Sequence, residues 1–115
     1  MERAIIIANG ELRHPETAHM LVAADDLLIA ADGGAHHCSR LGLIPHIVVG
    51  DLDSLAPGER AKLERAGTRF EIHPARKDET DLELALRAAM REGARDVVIL
   101  AALGGRWDQT LANML

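Results

Sequence analysis

Four short segments of this chain set acidic residues beside glycines or cations. They are Asp32-Gly33-Gly34, Gly50-Asp51-Leu52-Asp53-Ser54, Arg76-Lys77-Asp78-Glu79-Thr80-Asp81 and Gly104-Gly105-Arg106-Trp107-Asp108. Carboxylates crowded on one rim repel one another, so they invite a divalent cation. Hard oxygen donors point to Mg²⁺, and Mg²⁺ held by few carboxylates binds alongside phosphates. Asp51 and Asp53 stand two apart, so in an extended loop they project to the same side and suit one metal ion. Arg76, Lys77 and Arg106 lie among the acids, where they can neutralise phosphate. Gly33-Gly34 allows close approach of a phosphate to a helix N-terminus.

Each feature also has a plainer reading. Asp51 and Asp53 fit a turn. Gly33-Gly34 fits a tight strand-to-helix turn, and the basic residues fit a solvated surface. Thr80-Asp81-Leu82-Glu83 matches a capping box, with Thr80 as N-cap and Glu83 reaching back. That cap leaves Asp81 in a first helical turn, still available as a ligand.

The elements that would carry these segments are legible from patterning. Short apolar runs over 4–8, 27–31, 47–49, 69–73 and 97–102 read as strands. The β-branched run Asp96-Val97-Val98-Ile99-Leu100 suits a strand covered on both faces. Helical patterns lie between them, over 17–24, 34–41, 57–66 and 81–92. The last carries Leu82, Ala85, Leu86, Ala89 and Met90 at the spacing of one buried face. Gly42, Gly67 and Gly93 follow as helix stops. A final helix is expected from about Asp108 to Leu115. The strand–helix alternation implies an α/β fold, a Rossmann-like three-layer sandwich with a mostly parallel sheet of about five strands. In such sheets the ligand crevice lies beyond the carboxyl ends of the strands, where the four segments fall.

Composition narrows the function classes. The 115 residues allow one domain, and the formal charge of −5 argues against a phosphate-backbone footprint for nucleic acid. Phe70 and Trp107 are the only aromatic residues, too few for a base-stacking platform. The lone Cys38 forms no internal disulfide and is expected to be buried and inert. Histidines 14, 19, 36, 37, 46 and 73 show no metal-ligand spacing. No P-loop signature is present. The apolar stretch Ala4–Ala8 is too short to span a membrane, so a cytoplasmic location is expected. A strand followed by Asp-x-Asp also opens phosphatases of the haloacid dehalogenase type, but there the motif follows the first strand and here it follows the third.

Taken together, Ala31-Asp32-Gly33-Gly34-Ala35, Val49-Gly50-Asp51-Leu52-Asp53-Ser54, Lys77-Asp78-Glu79-Thr80-Asp81 and Gly104-Gly105-Arg106-Trp107-Asp108-Gln109-Thr110-Leu111-Ala112-Asn113 resemble, in order and spacing, the catalytic domain of thiamine pyrophosphokinases. Each motif alone is weak, but four in order are specific, and they cover nearly the whole chain. The resemblance implies transfer of pyrophosphate from ATP to the hydroxyl of thiamine, with Mg²⁺, giving thiamine diphosphate and AMP. It makes Asp51, Asp53 and Asp81 the metal-binding carboxylates; as carboxylates near the reacting hydroxyl, Asp51 or Asp81 would take its proton. It sets Asp32, Gly33 and Gly34 along the nucleotide crevice, and Thr80, Arg106 and Asp108 against ATP or ordering the site. Lys77 and Arg76 would balance the triphosphate charge. It implies a homodimer in the full-length protein.

Three departures bear on the acceptor. His36 stands where the family usually has Asn, and Gln109 where it usually has His. Family members also continue with another strand and a β-sandwich domain, which are expected to be absent from these 115 residues. Residues 1–115 are therefore expected to form an ATP- and Mg-binding catalytic domain cut short at its C-terminal end. Two alternatives follow: a pyrophosphokinase acting on a different hydroxymethyl acceptor such as a pterin, and a non-catalytic Mg-ATP-binding module.

Overall fold

Strand β1 (Arg3–Ile7) carries Ala4, Ile5, Ile6 and Ile7, all with no solvent exposure. Such burial requires cover on both faces, and both are covered. The structure, a computed structural model, describes residues 3–8, 15–31, 33–50, 55–72, 81–100 and 109–113. Along the chain, β1 is followed by α1 (Pro15–Leu21), β2 (Leu27–Ala31), α2 (Gly34–Leu41), β3 (Ile47–Gly50), α3 (Pro57–Arg65), β4 (Arg69–Ile72), α4 (Asp81–Arg91), β5 (Asp96–Leu100) and β6 (Gln109–Asn113).

The strands form one sheet in the order β4-β3-β2-β1-β5-β6. The first five are parallel, and β6 runs antiparallel to β5. From β1 the chain steps outward through β2 and β3 to β4, then returns across the sheet to β5. Crossovers of one hand put helices on one face while the chain steps one way, and on the other face when the direction reverses. The two apolar clusters follow this rule. Ala35, Cys38 and Leu41 of α2 and Leu63 of α3 pack with Ile5, Ile7, Leu28, Ala30 and Val48. Ala85, Ala88 and Ala89 of α4 pack on the opposite face with Ala4, Ile6, Ile29, Ile47 and Val97. With so few aromatic residues, the core is built from branched aliphatic side chains on the sheet and small ones on α4.

Local signals set the helix ends. Gly42 takes φ 73°, and its N–H and that of Leu43 close the end of α2 on the carbonyls of Ser39 and Cys38. Cys38 is fully buried on α2, as expected.

One expectation fails. Residues 109–113 form β6 rather than the start of a helix over 108–115. Its register runs from Leu100 opposite Gln109 to Asp96 opposite Asn113. The reason is tertiary: without β6, β5 would present an open row of N–H and C=O groups at the sheet edge. A segment following directly in sequence meets that demand, and this outweighs a weak helical pattern.

Candidate active site at the carboxyl edge of the sheet

The register defines a common rim. Ile7 is level with Ala30 and Leu100, Ala31 with Val49, and Gly50 with Ile72. The five parallel strands therefore end within about one residue of a common line. The chain segments that follow them all leave from one edge. Neighbouring strands lie about 4.8 Å apart, so the exits of β3 and β5 are about 14 Å apart, enough for an extended nucleotide to lie across. The direction of chain travel switches between β1 and β5, and ligand crevices of open parallel sheets open at that point.

Among the expected site residues, Gly33, Gly34 and Asp81 fall on described backbone. Asp32, Asp51, Asp53, Lys77, Thr80, Arg106 and Asp108 lie outside the described residues, as do Arg76 and Trp107. Asp81 is the first residue of α4. Because α4 returns the chain from the carboxyl end of β4 to the amino end of β5, its N-terminus belongs to the rim. Leu82, the next residue, packs on the cluster that contains Ala31 and Val49 near the ends of β2 and β3.

Glycines shape the rim in two ways. Gly50 closes β3 with φ 131°, a conformation that a side chain strongly disfavours, and Asp51 follows it directly. The sequence gives Gly50 no role beyond its place in the motif. Gly33 and Gly34 are buried where β2 passes into α2. Gly33 has φ −62° and ψ −8°, open to any residue, and its carbonyl accepts the N–H of His36 at 3.0 Å. Gly34 differs: a Cβ there would lie 1.9 Å from the carbonyl oxygen of Ile7 and 2.7 Å from its carbonyl carbon. The room in front of Gly34 is filled by the end of β1.

His36, one of the departures, is half-buried in the first turn of α2, with Nδ1 3.3 Å from Oε2 of Glu59 on α3. The structure thus gives His36 a partner in the helical layer. Gln109, the other departure, opens β6.

Two features carry no signal in the sequence. One is the segment after β1, where β1 borders the switch point. Ala8 donates its N–H to the carbonyl of Leu100 at 2.9 Å and ties the two strand ends together there. Strand order alone reveals this. The other is Asp26, which is buried at the opposite, amino edge of the sheet and paired with Arg3. Burial pushes the Asp26 carboxyl up, but hydrogen bonds from Arg3 and from the Ala23 N–H outweigh it and hold it below the usual carboxylate range. Among the described residues no group of three or more His, Cys, Asp or Glu is arranged to hold a metal ion.

Residues 18–115 match the family model described as thiamin pyrophosphokinase, catalytic domain. The chain belongs to this family. The Bacillus subtilis thiamine pyrophosphokinase is 36% identical over 88 residues, covering 76% of this chain and 41% of that protein. Thiamine pyrophosphokinase 1 of Oryza sativa subsp. japonica is 26% identical over 132 residues, covering 96% of this chain and 49% of the relative. The crystal structure of the Bacillus subtilis enzyme superposes with a TM-score of 0.70 at 32% identity, over 93% of this chain and 50% of that one. That of the Geobacillus thermodenitrificans protein gives 0.67 at 30% identity, over 92% and 49%. The chain spans about half the length of the curated relatives it matches. The α/β architecture expected from the sequence is thus shared with thiamine pyrophosphokinase structures. No helix among the described residues is long and apolar enough to cross a membrane.

Proposed function

We propose that this chain is the nucleotide-binding part of a thiamine pyrophosphokinase, which transfers pyrophosphate from ATP to the hydroxyl of thiamine and releases AMP. The observation that carries the reading is the family match over residues 18–115, with all four acidic segments in order and each following a strand of the parallel sheet.

The donor chemistry fits Mg²⁺. Asp51, Asp53 and Asp81 supply hard carboxylate oxygens, Gly50 turns the chain out of β3 directly before the first, and Asp81 opens a helix whose N-terminus belongs to the same rim. These three carboxylates would hold the ion. Bound there, it would supply charge neutralisation along the polyphosphate. Asp32 and Gly33 line the nucleotide side of the crevice, with Gly34 behind them. Lys77 and Arg106 pair with phosphate oxygens, and Thr80 and Asp108 order the ATP. The thiamine hydroxyl oxygen bonds to the β-phosphorus as the bond from that phosphorus to the bridging oxygen of AMP breaks. Asp51 or Asp81 takes the hydroxyl proton. Such transfer depends on positioning and charge neutralisation rather than on a covalent enzyme intermediate. On this reading the full-length protein is a homodimer in the cytoplasm.

The test is AMP and thiamine diphosphate formation by the protein expressed from its complete gene, compared with Asp51→Asn. Activity in the parent, reduced at least roughly a hundredfold in the variant, is the expected outcome. A folded parent that forms no AMP from ATP and thiamine removes the reading.

A further inference from the structure

We propose that Gly34 is a positioning residue for the nucleotide, acting as a backbone spacer between the first turn of α2 and the end of β1 rather than as a phosphate contact. The inference deepens the reading above and rests on it. Three ends meet at the switch point: β1, β5 and the start of α2. Ala8 is hydrogen-bonded to Leu100, which fixes the end of β1 to that of β5. Gly34, buried, fixes the start of α2 to the same place, since its missing Cβ would fall 1.9 Å from the Ile7 oxygen and 3.3 Å from that of Ala8. The obstructing atoms are backbone in the middle of the sheet, so no rotamer change relieves the clash. Either α2 or the end of β1 must move. Ligand crevices of open parallel sheets open at such a switch point, so such a movement would displace the groups that receive the nucleotide. Gly34 thus does what a helix-packing glycine does in dinucleotide-binding turns, where one glycine serves close helix–strand contact.

The experiment compares Gly34→Ala with the parent in the protein from the complete gene, measuring steady-state AMP formation against ATP and against thiamine. A displacement near 1 Å is expected to raise KM for ATP about tenfold or more while KM for thiamine stays within about twofold. A role in stability alone would lower the active fraction, and with it kcat, leaving KM for ATP unchanged. A folded Gly34→Ala protein with KM for ATP within about twofold of the parent therefore overturns the proposal. If Gly34→Ala does not fold, Ala35→Val takes its place. Ala35 is buried in the same turn, and its enlargement lifts that turn from the sheet. Cys38→Ala, one turn further along, should lower the melting temperature and leave KM for ATP unchanged. An Ala35→Val protein that behaves like Cys38→Ala overturns the proposal. A parent that forms no AMP overturns the functional reading and this inference with it. That failure is seen before any variant is made.

Discussion

Arg3 grips both carboxylate oxygens of Asp26, through Nε at 3.0 Å and Nη2 at 2.6 Å. The same Nη2 donates to the carbonyl of Leu21 at 2.8 Å, and Asp26 also accepts the N–H of Ala23 at 2.8 Å. The pair ties the start of β1 to the end of α1 and the approach to β2. Asp26→Ala removes the carboxylate from the Arg3 guanidinium, which keeps the Leu21 carbonyl, and from the Ala23 N–H, at a cost of about 2–3 kcal/mol in denaturant unfolding.

The same pair sets a pH dependence. Because the folded-state pKa of Asp26 is depressed, its stabilisation is fully present above the unfolded carboxyl value and is lost as pH falls through the lower folded one. The stability gap between the parent and Asp26→Asn should stay constant from about pH 5 to 8 and shrink below about pH 4. Urea titrations at several pH values check this. A gap that widens in acid contradicts the assignment.

Gly50 and Gly58 offer a paired test of backbone conformation. Gly50→Ala forces a side chain into φ 131° and should cost about 1–3 kcal/mol. It should also weaken Mg-ATP binding, because Asp51 follows directly. Gly58 lies in α3, and an added Cβ there meets nothing within 4 Å. Gly58→Ala should therefore leave stability unchanged or raise it by up to about 1 kcal/mol. Melting temperatures and calorimetric ATP titrations separate the two.

Burial pushes the Cys38 thiol up to about 12 from an ordinary 9.0. At pH 8 the thiolate fraction is then roughly a thousandfold smaller than in the unfolded chain, and the reagent has no path to it. Native protein should therefore react with a thiol-specific alkylator only at the rate of opening, whereas denatured protein should react at once. Mass spectrometry of timed samples reads both. The raised pKa also makes stability fall as pH rises above about 9, since the unfolded thiol ionises first.

Helix α4 lies on the sheet through Ala85, Ala88 and Ala89, all without solvent exposure. Their small size sets how closely α4 approaches the strands. Ala88→Leu adds volume at a position with no solvent exposure and should destabilise by about 1–3 kcal/mol. Because α4 begins with Asp81, lifting it should also reduce activity in the folded protein. A lowered urea midpoint with unchanged activity would separate α4 packing from the site.

Much was legible in the sequence because local signals were strong. The β-branched runs of β1 and β5 and the Gly42, Gly67 and Gly93 stops gave element boundaries close to those observed. The 3,4 spacing of Leu82, Ala85, Leu86 and Ala89 marked the buried face of α4. Asp51, Asp53 and Asp81 raise an expectation of chemistry because carboxylates on one rim need a counter-charge; of the three, only Asp81 falls on described backbone. By contrast, residues 109–113 were misread because their local pattern is weak and the free edge of β5 governs them.

The sequence by itself determined the alternation of strands and helices, the buried faces, and the order of the acidic segments, since each depends on spacing along the chain. Only the tertiary structure decided the strand order that sets β1 beside β5. It alone decided the antiparallel pairing of β6 with β5, the partnership of Arg3 with Asp26 across 23 positions, and the contact that makes Gly34 a glycine. Those depend on pairings between residues distant in sequence, where backbone hydrogen bonding and excluded volume act and no local pattern records them.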